Sequence, residues 1–281
     1  MNASKRYALF RCCTSAPHLP EYEQATDFIL EKLGLNSVRI SEFGCCGYPL
    51  RNVDQASWLL ASARNLALAE ARACTLITVC NCCYGTLKHC AWLLSQDQAL
   101  HGQINQALRK EGLDFTGKAR VRHLFEVLDQ DMGMEHLKSR IVKPVKNLKL
   151  ALHYGCRILR PSNVLAMDNP DKPMFLDNLV QTLDAVSLNW GKKSDCCGAQ
   201  IMSTDADLSE AVVKEKQSRA ADLGADAICV ACPFCQLSLG RPEQDSQSRP
   251  VISYPQLLAY CLGADLKTAG HMLNLPRHPP S

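Results

Sequence analysis

The sequence predicts an α/β protein made of two copies of one strand–helix unit, each with a mostly parallel sheet. Three observations lead there. Short apolar runs alternate with amphipathic stretches, one cysteine pattern occurs twice, and the runs flanking that pattern repeat with it. Strand–helix alternation is the arrangement that yields parallel sheets with helices on their faces.

The first copy opens with RYALFRCC (6–13) and the second with LKLALHYGC (148–156), two apolar runs that each end at a cysteine. NSVRISEFGCC (36–46) and DAVSLNWGKKSDCC (184–197) are alternating runs that lead into a cysteine pair. CTLITVCNCC (74–83) and DAICVACPFC (226–235) both run into C-x-x-C. Their length and β-branched content predict strands. Apolar residues at three- and four-residue spacing predict helices over Glu21–Leu33, Gln55–Arg72 and Leu208–Leu223, with Gly34 and Gly224 as C-caps. Every motif cysteine then falls at or just after the carboxyl end of a strand, where open α/β sheets build their sites.

The 281 residues are 47% hydrophobic, enough for a sizeable core, and the net charge of +3 is spread over interleaved acids and bases. That distribution argues against a nucleic-acid platform. No apolar run reaches the ~20 residues of a membrane span, and the first residues do not read as a signal peptide, so the expected location is the cytoplasm. Sixteen cysteines in a reducing compartment are expected to be metal ligands or redox groups rather than a disulfide framework. The Pro-rich end, HMLNLPRHPPS, is expected to be a mobile tail.

The cysteine series in the first half is Cys13, Cys45, Cys46, Cys80 and Cys83. In the second it is Cys156, Cys196, Cys197, Cys232 and Cys235. The offset between the two is 143 residues at the first position, 151 at the cysteine pair and 152 at C-x-x-C. A period of that length marks a duplicated domain rather than a solenoid. The expected boundary puts residues 1–143 in the first domain and 144–281 in the second, with a linker near Ser139–Asn147 where Pro144 interrupts a basic stretch.

Five cysteines from three loops overfill a structural zinc site, which takes four ligands in a closed tetrahedron. A cluster of several irons has more vertices and accepts thiolates from different directions, so adjacent cysteines such as Cys45 and Cys46 can each find an iron. The pattern favours iron–sulfur over zinc, although the common ferredoxin run is absent.

The doubled C…CCG…CxxC pattern, with YALFRCC, CNCCYGTLK, LHYGC, CPFC and YPQLLAYCLG, resembles the CCG-domain proteins, and among them the B subunit of heterodisulfide reductase. The resemblance runs from Tyr7 to about Gly263. It implies two Rossmann-like CCG domains, each holding a noncubane [4Fe–4S] cluster through its five cysteines. A disulfide would be cleaved reductively between the two clusters. Carried over, the first ligand set is Cys13, Cys45, Cys46, Cys80 and Cys83, and the second is Cys156, Cys196, Cys197, Cys232 and Cys235. The partners implied are a ferredoxin-like C subunit and a flavin-bearing A subunit.

Cys12 and Cys82 stand where that family usually has glycine. Cys12, Cys82 and Cys229 lie near the motifs in sequence, so they read either as packing residues or as groups around a cluster. Cys74, Cys90 and Cys261 read as small core residues in apolar helical contexts. His153 is a candidate proton donor near the second cluster, or a core histidine. Arg157 replaces the histidine usual in methanogen members and AQIMSTD replaces a glycine-rich run, which argues against the methanogen heterodisulfide as substrate. Arg157 is a candidate catalytic-site contact to an anionic substrate group, or a partner for a carboxylate.

The expected activity is therefore oxidoreduction of sulfur: a disulfide interconverted with thiols, or a sulfur-bearing thiol oxidised. The alternative is an electron-relay iron–sulfur subunit of a dehydrogenase complex. No G-x-G-x-x-G follows a strand, so electrons are expected from a partner rather than from a dinucleotide.

Overall fold

The computed structural model describes residues 5–241 and 248–269; the Pro-rich end lies outside the described residues. The first half holds the strands β1 (Tyr7–Phe10), β2 (Ser37–Val38), β3 (Thr75–Thr78) and β4 (Val121–His123), in the spatial order β2-β1-β3-β4. The second holds β5 (Lys149–His153), β6 (Val186–Ser187), β7 (Ala227–Val230) and β8 (Val251–Ser253), in the order β6-β5-β7-β8. All six strand pairings among the described residues are parallel. The chain leaves the first strand of each half on one side and returns on the other. The gap beyond the carboxyl ends of β1 and β3, and of β5 and β7, is therefore a topological switch point.

The main helices of the first half are α1 (Pro20–Lys32), α2 (Gln55–Ala71) and α3 (Asn81–Gln96). Those of the second are α4 (Phe175–Gln181), α5 (Ala206–Asp222), α6 (Pro233–Leu239) and α7 (Tyr254–Cys261). Asp54 and Asp205 cap α2 and α5 alike, each carboxylate accepting from a backbone N–H three residues on (3.1 and 2.9 Å). Gly34 and Gly224 follow α1 and α5 at φ +68° and +67°, the left-handed C-caps the sequence predicts. Among the described residues no helix is long and apolar enough to cross a membrane.

The sequence reading does not anticipate β4 and β8. Each is three residues long and runs directly into a capping box, His123 with Glu126 and Ser253 with Gln256. Those boxes, repeated in the two halves, are the local signal that marks them.

One continuous hydrophobic core joins the halves. The first helix of one half packs against the last helix of the other, α1 on α7 and the short helix Leu124–Glu126 on α4. Phe125, 2% exposed, has its ring 5.5 Å from Phe175 and 5.3 Å from Tyr254. Polar contacts cross the same seam. Asn81 donates to the Tyr154 carbonyl at 2.6 Å, and Lys88 to that of Leu165 at 2.6 Å.

The glycine of each CCG motif has a specific local task. Gly47 and Gly198 both sit at φ +83°, and each turns its N–H toward the sulfur of the first cysteine of its pair, 3.4 Å away. A Cβ at Gly47 would stand 2.9 Å from the Trp58 carbonyl oxygen on α2. One at Gly198 would stand 3.0 Å from that of Ser209 on α5. Two constraints, left-handed backbone and a helix pressed against it, leave no room for a side chain.

Two outcomes follow for thermal unfolding. Gly47→Ala is expected to cost about 1–3 kcal/mol, the scale of forced left-handed backbone plus a clash. It should be more damaging than Gly34→Ala, which has a similar φ but open space around it; equal losses would remove the close approach of α2 as the reason. Phe125→Ala should cost about 3–5 kcal/mol, as for a buried aromatic, and should destabilise both halves in a single transition.

Candidate metal centre

All sixteen cysteines are free thiols. The ten motif cysteines sit on the three loops that leave the carboxyl ends of the first three strands of each half. In the first half Cys13 follows β1, Cys45 and Cys46 end the loop after β2, and Cys80 and Cys83 bracket the start of α3. In the second, Cys156 follows β5, Cys196 and Cys197 end the loop after β6, and Cys232 and Cys235 bracket the start of α6.

Within each half the motif thiols lie close enough to perturb one another's acidity: Cys13 acts on Cys45, Cys45 and Cys83 on Cys46, and Cys46 and Cys80 on Cys83. In the second half Cys156 and Cys197 act on Cys196, and Cys197 and Cys232 on Cys235. The two sets meet where Cys80 Sγ lies 3.9 Å from Cys232 Sγ, two residues that the duplication makes equivalent. Cys46, Cys80, Cys83, Cys197, Cys232 and Cys235 are buried, whereas Cys13, Cys45 and Cys196 are exposed. Each set is thus closed where it meets its partner and open at its far end.

Proximity to neighbouring thiols splits their acidities. Contacts first with Cys45 and then with Cys83 hold Cys46 well below the ordinary thiol range, and contacts with Cys156 and Cys197 bring Cys196 down to about 2. Cys12, then Cys46 and Cys80, pushes Cys83 up, and Cys197, then Cys232, pushes Cys235 up. The donor set is all soft sulfur, drawn from three directions in each half. This is what an iron–sulfur centre takes and what a hard cation does not.

The cysteines outside the motif separate into two classes. Cys12 joins Cys80 and Cys83 in a buried group with all three sulfurs within 4.8 Å of one another, and Cys82 does the same with Cys80 and Cys232. Cys229 is core: it is fully buried in β7, and burial alone pushes its thiol up. Cys90 on α3 and Cys261 at the end of α7 are also buried core thiols. Cys74 lies in the turn entering β3, not in a helix, because α2 ends at Ala71 and the left-handed Ala73 redirects the chain.

His153 ends β5 fully buried, with neither ring nitrogen hydrogen-bonded among the described residues, in a group with Cys197 and Cys235 whose ligand atoms lie within 4.8 Å of one another. Burial, then nearby Lys216, pushes its pKa down to about 3. Arg157 is half-buried over the Tyr48 ring at 5.1 Å, with Nη2 donating to the Tyr48 hydroxyl at 3.3 Å. Gly85 on α3 allows this placement, since a Cβ there would stand 2.7 Å from the Arg157 carbonyl oxygen. Beside it, Arg51 lies 5.0 Å over Trp58 and 2.5 Å from His89 Nδ1. Neither arginine has a carboxylate partner among the described residues. Sequence reading singles out Arg157 but misses Arg51, whose proximity arises only in the fold.

Comparison with known proteins places this geometry in a family. The model of the cysteine-rich CCG domain matches residues 7–88 and again 150–240. The B subunit of the Ferredoxin/F(420)H(2)-dependent CoB-CoM heterodisulfide reductase of Methanosarcina acetivorans is 35% identical over 92% of this chain and 89% of its own length. A protein of Archaeoglobus profundus described as like the heterodisulfide reductase B subunit is 31% identical over 97% of this chain and 95% of its own. The 8-methylmenaquinol:fumarate reductase membrane anchor subunit of Wolinella succinogenes is 31% identical over 95% of each. The crystal structure of a hypothetical protein from Helicobacter pylori has the same fold, at TM-score 0.77 and 18% identity over 96% of this chain and 51% of that one. With its doubled motif and its likeness to B subunits along nearly its whole length, the chain belongs to the CCG cysteine-rich domain family, in the group of heterodisulfide reductase B subunits.

Proposed function

We propose that the chain is the iron–sulfur catalytic subunit of a heterodisulfide reductase-like complex, interconverting a disulfide and two thiols. The observation that carries this reading is the meeting of two five-cysteine sets at the Cys80–Cys232 contact of 3.9 Å. A pure relay has no need of two sets that close on each other and open outward. The ligands are Cys13, Cys45, Cys46, Cys80 and Cys83 in one set and Cys156, Cys196, Cys197, Cys232 and Cys235 in the other, for two noncubane [4Fe–4S] clusters.

Clusters held by these two sets would supply the two electrons that S–S cleavage needs. The protein's own groups position the substrate and exclude water. The buried inner thiols and the core around Tyr84 and Tyr154, both fully buried, keep the inner ends dry. Arg157, one residue beyond Cys156, holds an anionic group of the substrate and stays oriented by Tyr48. His153 serves as a hydrogen-bond donor beside Cys197 and Cys235. Electrons arrive from partner subunits, a ferredoxin-like C subunit and a flavin-bearing A subunit, in the cytoplasm.

Anaerobic purification is expected to yield about eight irons per chain with matching acid-labile sulfide. One zinc per half and no sulfide would overturn the reading. Serine at Cys46 or Cys197 should lose or rearrange the cognate cluster, because a hard alkoxide replaces thiolate poorly. Cys74→Ser should keep both clusters, and iron loss as complete as in Cys46→Ser would show the ligand set to be misassigned. Arg157→Ala should leave iron unchanged and weaken binding of an anionic thiol by about 1.5–3 kcal/mol, read by calorimetry against a neutral thiol of equal size.

A further inference from the structure

The duplication lets the surroundings of the two thiol sets be compared residue by residue. Phe10 on β1 pairs with Thr78, two residues before Cys80; His153 on β5 pairs with Val230, two residues before Cys232. His153 is therefore the counterpart of Phe10, Gly155 of Cys12, and Cys156 of Cys13. The caps Asp54 and Asp205 align α2 with α5 and make Lys216 the counterpart of Asn65.

The two environments are opposite in character. The first set has an extra buried thiol, Cys12, grouped with Cys80 and Cys83. The neutral Asn65 serves only the backbone there, accepting from Gly44 N–H at 2.9 Å and donating to the Cys45 carbonyl at 3.0 Å. In the second set no thiol replaces Cys12. A Cβ at Gly155 would stand 3.3 Å from Cys235 Sγ and 3.8 Å from His153 Nε2, so Cys235 and the ring face the same small space. Among the described residues neither nitrogen of the fully buried His153 meets hydrogen-bond geometry with a protein group, and its ring lies within 4.8 Å of the Cys197 and Cys235 sulfurs, within reach of an N–H donated to sulfur. Lys216 is 1% exposed, held by the Lys192 carbonyl at 2.9 Å and by the Trp190 ring at 5.8 Å. It forms no ion pair with a carboxylate among the described residues.

We propose that these residues make the two centres electrically unequal: Cys12 gives the first centre a sixth thiolate, while His153 and Lys216 place an N–H donor and a buried cation on the second. The proposal rests on the reading that each set holds an iron–sulfur centre. Potentials of such centres follow net charge and hydrogen bonds to sulfur. A further thiolate stabilises the oxidised form, and an N–H donor or ammonium stabilises the reduced form. The first centre is therefore the harder to reduce, and an electron that reaches it passes on to the second.

The test is a redox titration of the anaerobically purified chain followed by paramagnetic resonance, with Cys46→Ser and Cys197→Ser assigning each wave to a centre. The wild type should show the first centre at the lower potential. Cys12→Gly and His153→Phe each install the residue of the other half. The first should raise only the first wave and the second should lower only the second wave, with iron and sulfide content unchanged. Lys216→Asn should also lower the second wave. His153→Gln, which keeps an N–H donor, should restore most of the shift seen in His153→Phe. Melting temperatures and iron content identify any variant that fails to fold, and Cys12→Ala and Lys216→Met then take the place of that variant. A wild type with the first centre at the higher potential, or iron-replete variants whose waves stay in place, would overturn the proposal and leave the functional reading standing. A wild type lacking iron and labile sulfide would overturn both.

Discussion

The contact between Cys80 and Cys232 is the point on which the rest of the molecule depends. These two residues are the same residue of the repeated unit, and placing them 3.9 Å apart requires the switch points of both sheets to face one another. That orientation fixes the exchange of helices across the seam and the continuous core beneath it. It also sets an electrostatic problem, because ionised thiols crowded in a dry interior repel one another and lose their hydration. A soft multinuclear centre relieves the same repulsion by bonding the thiolates outright.

The polar groups around the sets are chosen for backbone work as much as for chemistry. Ser62 donates to the Cys46 carbonyl at 2.6 Å and Ser238 to the Cys197 carbonyl at 2.7 Å, so each CC pair is anchored by its main chain. With the carbonyls tied down and the glycine N–H turned onto sulfur, the thiol positions are set by the fold before any ligand arrives.

Much of this architecture was legible in the sequence because it is written in short-range signals. The helices predicted at Glu21–Leu33, Gln55–Arg72 and Leu208–Leu223 are found at Pro20–Lys32, Gln55–Ala71 and Ala206–Asp222. The glycines at their ends and the repeated cysteine spacing are local as well. β4 and β8 escaped notice because three-residue strands carry no periodicity, and their identity comes from pairing with β3 and β7. The roles of Cys12 and Cys82 were open for a different reason. Sequence proximity put them with Cys229 near the motifs, yet only packing separates two thiols facing the sets from one lodged in the core. Arg51 and Lys216 acquire their meaning entirely from long-range contacts.

The exchanged helices have one more consequence. A single unit on its own would leave α1 and the helix after its fourth strand uncovered, and two identical units could cover each other only as a two-fold dimer. In such a dimer symmetry obliges every residue on one wall to appear on the other. Joining the copies in one chain keeps the mutual cover while lifting that obligation, so the position held by Phe10 in one half can hold His153 in the other, and that of Asn65 can hold Lys216. Covalent fusion here preserves a shape and at the same time gives the shape a front and a back.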